Sequence, residues 1–270
     1  MNIHTGLMHH YAEKKFKKKF KKGLTNWGLS CIIGIIDGHA KARRKEMIIM
    51  AMKKYLLMVD TETANSMDDP LTYDISIAVA DLYGNIYERF PMVVREIYER
   101  KELTTSAYYA EKMPKYAEAL KNGTRQIASL YEIRKLILAL MKKYHTNTVC
   151  MHNARFDVNA LNVTERYTTQ SRYRYFFPKG TEVWDTMLMA IDTIAKQKSY
   201  IRFCEKNGYI TKHKTPRPRV TAEVLYRYIM KDVDFIEEHM GIEDVEIETA
   251  ILAHCIRQHK KMRRVLYPAR

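Results

Sequence analysis

Five consecutive apolar residues at 55–59 stop abruptly at Asp60, Thr61 and Glu62, as a buried strand does when it delivers carboxylates to its C-terminal end. Downstream, Tyr73, Ile75, Ile77 and Val79 alternate with Asp74, Ser76, Ala78 and Ala80, a period of two that predicts a second strand. Gly84 and Asn85 supply turn chemistry, and residues 86–94 return as a third strand, in which Pro91 removes a ladder donor and so predicts an edge position or a bulge. The period then changes. Leu130, Ile133, Leu136, Ile137, Leu140 and Met141 mark one face of a helix, a fourth strand is predicted at 148–151 with helical segments after it, and a fifth strand at 182–184. Further helices are expected over 186–196, 221–229 and 243–257, the last marked by Ile247, Ile251, Leu252, Cys255 and Ile256 at helical spacing.

A three-strand meander followed by alternating helix and strand predicts an α/β protein with a mixed five-stranded sheet flanked by helices, an architecture of the ribonuclease H-like kind. Composition agrees: 270 residues, 46% hydrophobic and 29% charged, describe an ordinary soluble globular chain. Cys31, Cys150, Cys204 and Cys255 form no C-x-x-C pair, which disfavours a zinc finger, a redox motif and a disulfide scaffold, and points to a reducing, cytoplasmic setting.

The formal net charge of +15 attracts polyanions and makes nucleic acid the first partner to consider. The excess is uneven. Residues 1–52 hold 11 basic and 3 acidic residues, or +8, and read as a basic, poorly structured extension ahead of a domain at 53–260, with a basic tail at 261–270. The apolar run at 29–36 is too short for a membrane span and too interrupted for a secretory signal, so no membrane association is expected. Met47, Met50 and Met52 crowd directly before the first strand and leave Met52 open as the native start.

Three short motifs carry chemistry. Asp60 and Glu62, two apart on a strand, share one face. The run His152, Asn153, Ala154, Arg155, Phe156, Asp157 puts an acid where the fourth strand gives way to a helix. The run from His239 through Gly241 to Asp244 opens the last helix, with Asp244 in its first turn and His239 in the loop before it. A second D-x-E at Asp244 and Glu246 lacks a strand context and shows how little the tripeptide means alone.

In their order and on these elements, D-x-E, N-A-x-F-D and H-x-x-x-x-D resemble the DEDDh (DnaQ-like) 3′–5′ exonucleases, the family of the DNA polymerase III epsilon subunit, ribonuclease T and oligoribonuclease. The likeness covers about residues 53–260. It implies Asp60, Glu62, Asp157 and Asp244 as metal ligands, His239 as general base, and two divalent cations, Mg²⁺ or Mn²⁺. Hard oxygen donors without a thiolate suit those ions and do not suit zinc, and a histidine near its ordinary pKa can take a proton at neutral pH.

It further implies hydrolysis at the 3′ end of single-stranded DNA, a place in replication or repair, and a polymerase or other replication protein as partner. An exoribonuclease and a catalytically silent nucleic-acid-binding module are the alternatives. Thr61, Thr63, Asn153 and Phe156 flank the acids and are candidates for contacts with the terminal nucleotide, although Asn153 could equally cap its helix and Phe156 could equally anchor it in the core.

Two departures stand out. Ala64 and Asn65 follow Thr63 where the family often has T-G, and residues 212–219 form a basic, Pro-broken stretch that reads as an inserted loop. The bases and aromatics interleaved between Tyr167 and Phe177 fit a strand-stacking clamp and a half-buried hairpin equally well.

Overall fold

The computed structural model describes residues 54–105, 110–237 and 239–267. The expectations for the N-terminal extension, its lysine block and the 29–36 run lie outside the described residues. The sheet is built from β1 (Tyr55–Asn65), β2 (Pro70–Asp81), β3 (Ile86–Val94), β4 (Gln126–Ala128), β5 (Thr148–Met151) and β6 (Glu182–Asp185). The helices are α1 (Arg95–Tyr98), α2 (Lys101–Thr104), α3 (Met113–Lys121), α4 (Leu130–Lys143), α5 (Ala154–Thr169), α6 (Thr186–Asp192), α7 (Lys198–Asn207), α8 (Ala222–Met230) and α9 (Ile242–Arg257). No helix among the described residues is long and apolar enough to cross a membrane.

The strand order is β4-β3-β2-β1-β5-β6. The meander β1-β2-β3 is antiparallel, while β5, β6 and β4 add in parallel. This is the mixed, helix-flanked α/β sheet expected from the sequence, with one correction: six strands, not five. The extra strand, β4, lies parallel to Met92–Val94. Three residues are too few to display a period, so no pattern announced it. Pro91 falls on the stretch of β3 that β4 leaves uncovered, in keeping with an edge position.

β1 is also longer than the apolar run that predicted it. It pairs with β2 along its whole length, through Asp60 and Glu62 to Asn65, where a left-handed residue (φ 68°) starts the turn into β2. On its other side β5 accompanies it only at Leu57 and Met58. The acids therefore mark the end of the parallel neighbour rather than the end of the strand.

α9 lies across the face of the sheet that carries Leu56, Met58, Ala78 and Ala80, and seals it with Val245, Ile247, Ile251, Leu252 and Cys255. Small residues on β2 permit a close approach. The helix also carries Asp244 and Glu248 toward its N-terminus, so α9 covers core along its length while its first half also faces Asp60 and Glu62.

The single helix expected over 186–196 is α6 followed by a 3₁₀ turn, Ile194–Lys196; between them the buried Thr193 returns its hydroxyl to the Met189 carbonyl. Residues 263–266, on the basic stretch set apart as a tail, lie along β6: the Leu266 N–H donates to Val183 O at 2.8 Å and Val265 bridges Trp184. Cys150, Cys204 and Cys255 are buried free thiols.

Candidate active site

Three elements deliver the acids. β1 presents Asp60 and Glu62 toward α9. Asp157 is buried in the first turn of α5, directly beyond the end of β5, and its Oδ1 accepts a 2.8 Å hydrogen bond from the Thr61 hydroxyl, which ties β1 to α5. Asp244 sits in the first turn of α9, where its Oδ2 accepts from the Gly241 N–H at 2.9 Å. A donor atom from each of Glu62, His239 and Asp244 lies within 4.8 Å of the others.

Electrostatics join the remaining acids to this group. Burial, and then the charges of Glu248, Asp244, Asp157 and Glu62, hold the Asp60 carboxyl well above its ordinary range. Glu62 is pushed up to about 9 by burial and by Asp244 and Asp74. Asp157 rises to about 7 through burial, even though Thr61 works in the opposite direction. The five residues singled out for catalysis thus share one basin. His239, half-buried in a left-handed conformation (φ 50°), is held below the usual imidazole value by burial, against the pull of Asp244.

The basin contains three further charged groups. Glu248, one turn beyond Asp244, accepts from the His152 N–H at 3.2 Å through Oε1. Glu237 stands beside Asp244 and is pushed up to about 8, first by burial and then by that neighbour. Lys112 lowers the Glu62 carboxyl and reaches the His239 carbonyl at 3.4 Å. Glu248 had a signal in the sequence, an acid four residues from Asp244 on the apolar face of a strongly periodic helix. Glu237 and Lys112 had none, since both lie outside any periodic segment.

The residues proposed to touch nucleic acid divide. Thr61 is buried and its hydroxyl is committed to Asp157. Thr63 and Phe156 are half-buried and Asn153 is exposed, all three on segments that border the basin. Asn153 occupies the N-cap position of α5 at φ 61° but makes no side-chain capping bond; its N–H donates to Asp185 Oδ1 at 3.2 Å. The interleaved stretch after Tyr167 is an irregular loop rather than a hairpin, with Phe176 fully buried and Tyr173 and Tyr175 exposed.

The donor set fits a divalent cation of oxygen-seeking character. It is made of carboxylates and one imidazole, it contains no thiolate, and two of its oxygens, Asp244 Oδ1 and Glu248 Oε2, are buried without a hydrogen-bond partner. Buried carboxylates without partners are costly unless a positive charge compensates them.

No family model matches the chain, and no curated protein matches it. Among solved structures, the chain is similar to Exonuclease X in complex with 5′ overhanging duplex DNA, at 17% identity and a TM-score of 0.33 over 75% of this chain and 91% of that one. Fold and site together define an α/β protein with a six-stranded mixed sheet and an acidic centre suited to a divalent metal.

Proposed function

We propose that the protein is a metal-dependent 3′–5′ exonuclease, acting on single-stranded DNA ends. The observation that carries this reading is the convergence of Asp60, Glu62, Asp157, His239 and Asp244, spread over 185 positions of sequence (244 minus 60, counted inclusively), in one buried basin. Asp60, Glu62, Asp157 and Asp244 would hold two cations, Mg²⁺ or Mn²⁺. When bound, such ions neutralise charge at a scissile phosphate and acidify an attacking water.

His239 accepts the proton of that water at a ring nitrogen. Its lowered pKa keeps the imidazole neutral at pH 7, hence ready to act as a base. The Thr61 hydroxyl fixes the Asp157 carboxylate, and the Gly241 N–H fixes Asp244. Thr63, Asn153 and Phe156 border the basin and contact the terminal nucleotide.

The test is digestion of 5′-labelled single-stranded DNA and RNA of equal sequence with Mg²⁺ or Mn²⁺. A ladder that shortens from the 3′ end and disappears in EDTA is expected, with DNA degraded faster. Label released at once as a mononucleotide would reverse the polarity, and an RNA preference would favour the exoribonuclease. His239→Ala should slow turnover by roughly 10² to 10⁴, with partial recovery at higher pH.

A further inference from the structure

The stretch read as an inserted loop is a built element. Residues 209–219 close a short hairpin: Ile210 bridges Pro218, the Thr211 N–H donates to Arg217 O at 2.8 Å, and the Arg219 N–H donates to Tyr209 O at 2.9 Å. The Arg217 N–H also meets Thr211 Oγ1 at 3.0 Å, and Pro216 and Pro218 stiffen the returning arm. Lys212, His213, Lys214, Arg217 and Arg219 are all exposed, and no acid occurs between Lys206 and Ala222. Among the described residues, the side chains of Lys212, Lys214, Arg217 and Arg219 have no acidic partner. Thr211, His213, Lys214, Thr215 and Arg217 line a small concavity at the tip.

The base of this hairpin is fastened to the acidic basin. The Tyr200 hydroxyl donates to Arg219 O at 2.5 Å, and His152 Nε2 donates to Val220 O at 2.8 Å. Since Nε2 carries the proton, Nδ1 is left to accept from the Thr186 hydroxyl at 2.8 Å, and burial keeps the ring neutral. The backbone N–H of the same His152 donates to Glu248, and its neighbour Asn153 is exposed at the start of α5. One residue therefore ties a cationic arm to the wall of the site.

We propose that the 209–219 hairpin holds the sugar-phosphate backbone of the substrate strand several nucleotides away from the active site. The proposal rests on the nuclease reading above and names how that site engages a long strand. Unpaired cations on a stiff support, with polar residues between them, suit phosphates, which carry the same charge at every nucleotide. From Val220 to Lys214 the arm runs six residues, at most about 20 Å at ~3.3 Å per residue. A single strand, which extends further per nucleotide than the ~3.4 Å rise of a duplex strand, needs several nucleotides to reach from the basin to the tip. A dinucleotide cannot touch both.

The experiment compares the full chain with its Lys212→Ala, Lys214→Ala, Arg217→Ala triple variant on a dinucleotide and on a single strand of about 20 nucleotides. Hydrolysis of the dinucleotide should be unchanged, while KM for the long strand should rise about tenfold at low salt with kcat preserved. Fluorescence anisotropy of the labelled long strand in EDTA should show the slope of log affinity against log salt reduced by about 2, three phosphates at ~0.7 each. A second variant that keeps the charges, Lys212→Arg, Lys214→Arg, Arg217→Lys, should bind as wild type. Equal losses on both substrates, or an unchanged salt slope, would overturn the proposal; an unchanged slope would leave the arm to an acidic protein partner. If wild type hydrolyses neither substrate, the nuclease reading fails, and the anisotropy slope still decides whether the arm holds phosphates.

Discussion

Glu62 and Asp74 face each other across β1 and β2, one residue pair in the same register, yet they live in opposite electrostatic worlds. Asp74 is fully buried and receives three donors: Arg125 at 2.5 Å, the Tyr116 hydroxyl at 2.6 Å and Ser76 at 3.1 Å. Burial raises its carboxyl, Arg125 and Tyr116 oppose the rise, and it settles at about 6. Glu62 has Lys112 on its side and stands at about 9. The chain supplies a counter-charge for one acid, while on the proposed reading its neighbours take theirs from a bound cation. A structural acid and a ligand acid are thus told apart by who brings the cation.

The largest effect expected from this contrast is on turnover. Asp60→Asn, Asp157→Asn and Asp244→Asn should each abolish cleavage of a labelled strand, while thermal unfolding in EDTA shows a fold as stable as wild type or more so, because a repelling charge has gone. Near-normal turnover in any of the three would remove that residue from the ligand set.

Arg125→Met should do the reverse and strike stability first. Removing one partner of a buried pair costs about 3–5 kcal/mol, because an uncompensated carboxylate stays behind. Denaturant unfolding would measure it, and adding Asp74→Leu should recover most of the loss. Arg125 also donates to the Met240 carbonyl and lies 3.8 Å from Glu243, so the single variant should loosen the segment that carries His239 as well.

The smallest effect is a pH slope. A carboxyl whose folded pKa is raised keeps its proton in the native state after the unfolded chain has lost it, so stability falls as pH rises through the interval between the two values. For Asp74 that interval closes near 6. Any further fall up to about 9 belongs to the basin, where Asp157, Glu237 and Glu62 stand at about 7, 8 and 9. Melting curves in EDTA should show this decline between pH 6 and 9. Saturating Mg²⁺ or Mn²⁺ should flatten it and raise the midpoint, since an ion that binds only the native state adds about 2.7 kcal/mol at a hundred times its dissociation constant. An identical slope with and without metal would mean that the basin does not bind it.

The sequence pointed to the acids proposed here as ligands and hid the structural acid. Asp60, Glu62, Asp157, His239 and Asp244 stood out because each follows an apolar run or lies at a helix start that local periodicity defines. The limits of β3 and β5 were read to the residue for the same reason. Arg125 could not be found: it precedes a three-residue strand with no period, and its partner Asp74 is 51 positions away. Asp74 itself looked like the polar face of an alternating strand, but β2 is buried on both faces, so alternation there records which helix covers a residue rather than whether water does.

Gly241 shows how little room the design leaves. At φ 67°, an added Cβ would lie 2.5 Å from Ser76 Oγ and 2.9 Å from Asp74 Oδ2, so α9 starts in direct apposition to β2. At the opposite margin of the sheet, residues 263–266 occupy the free side of β6, bonded at both Asp185 and Val183. A chain cut before them would present bare N–H and C=O groups beside Trp184, a template for self-association into larger aggregates. Residues 263–266 therefore shield this edge of the sheet, which bears on how copies of the molecule would meet one another.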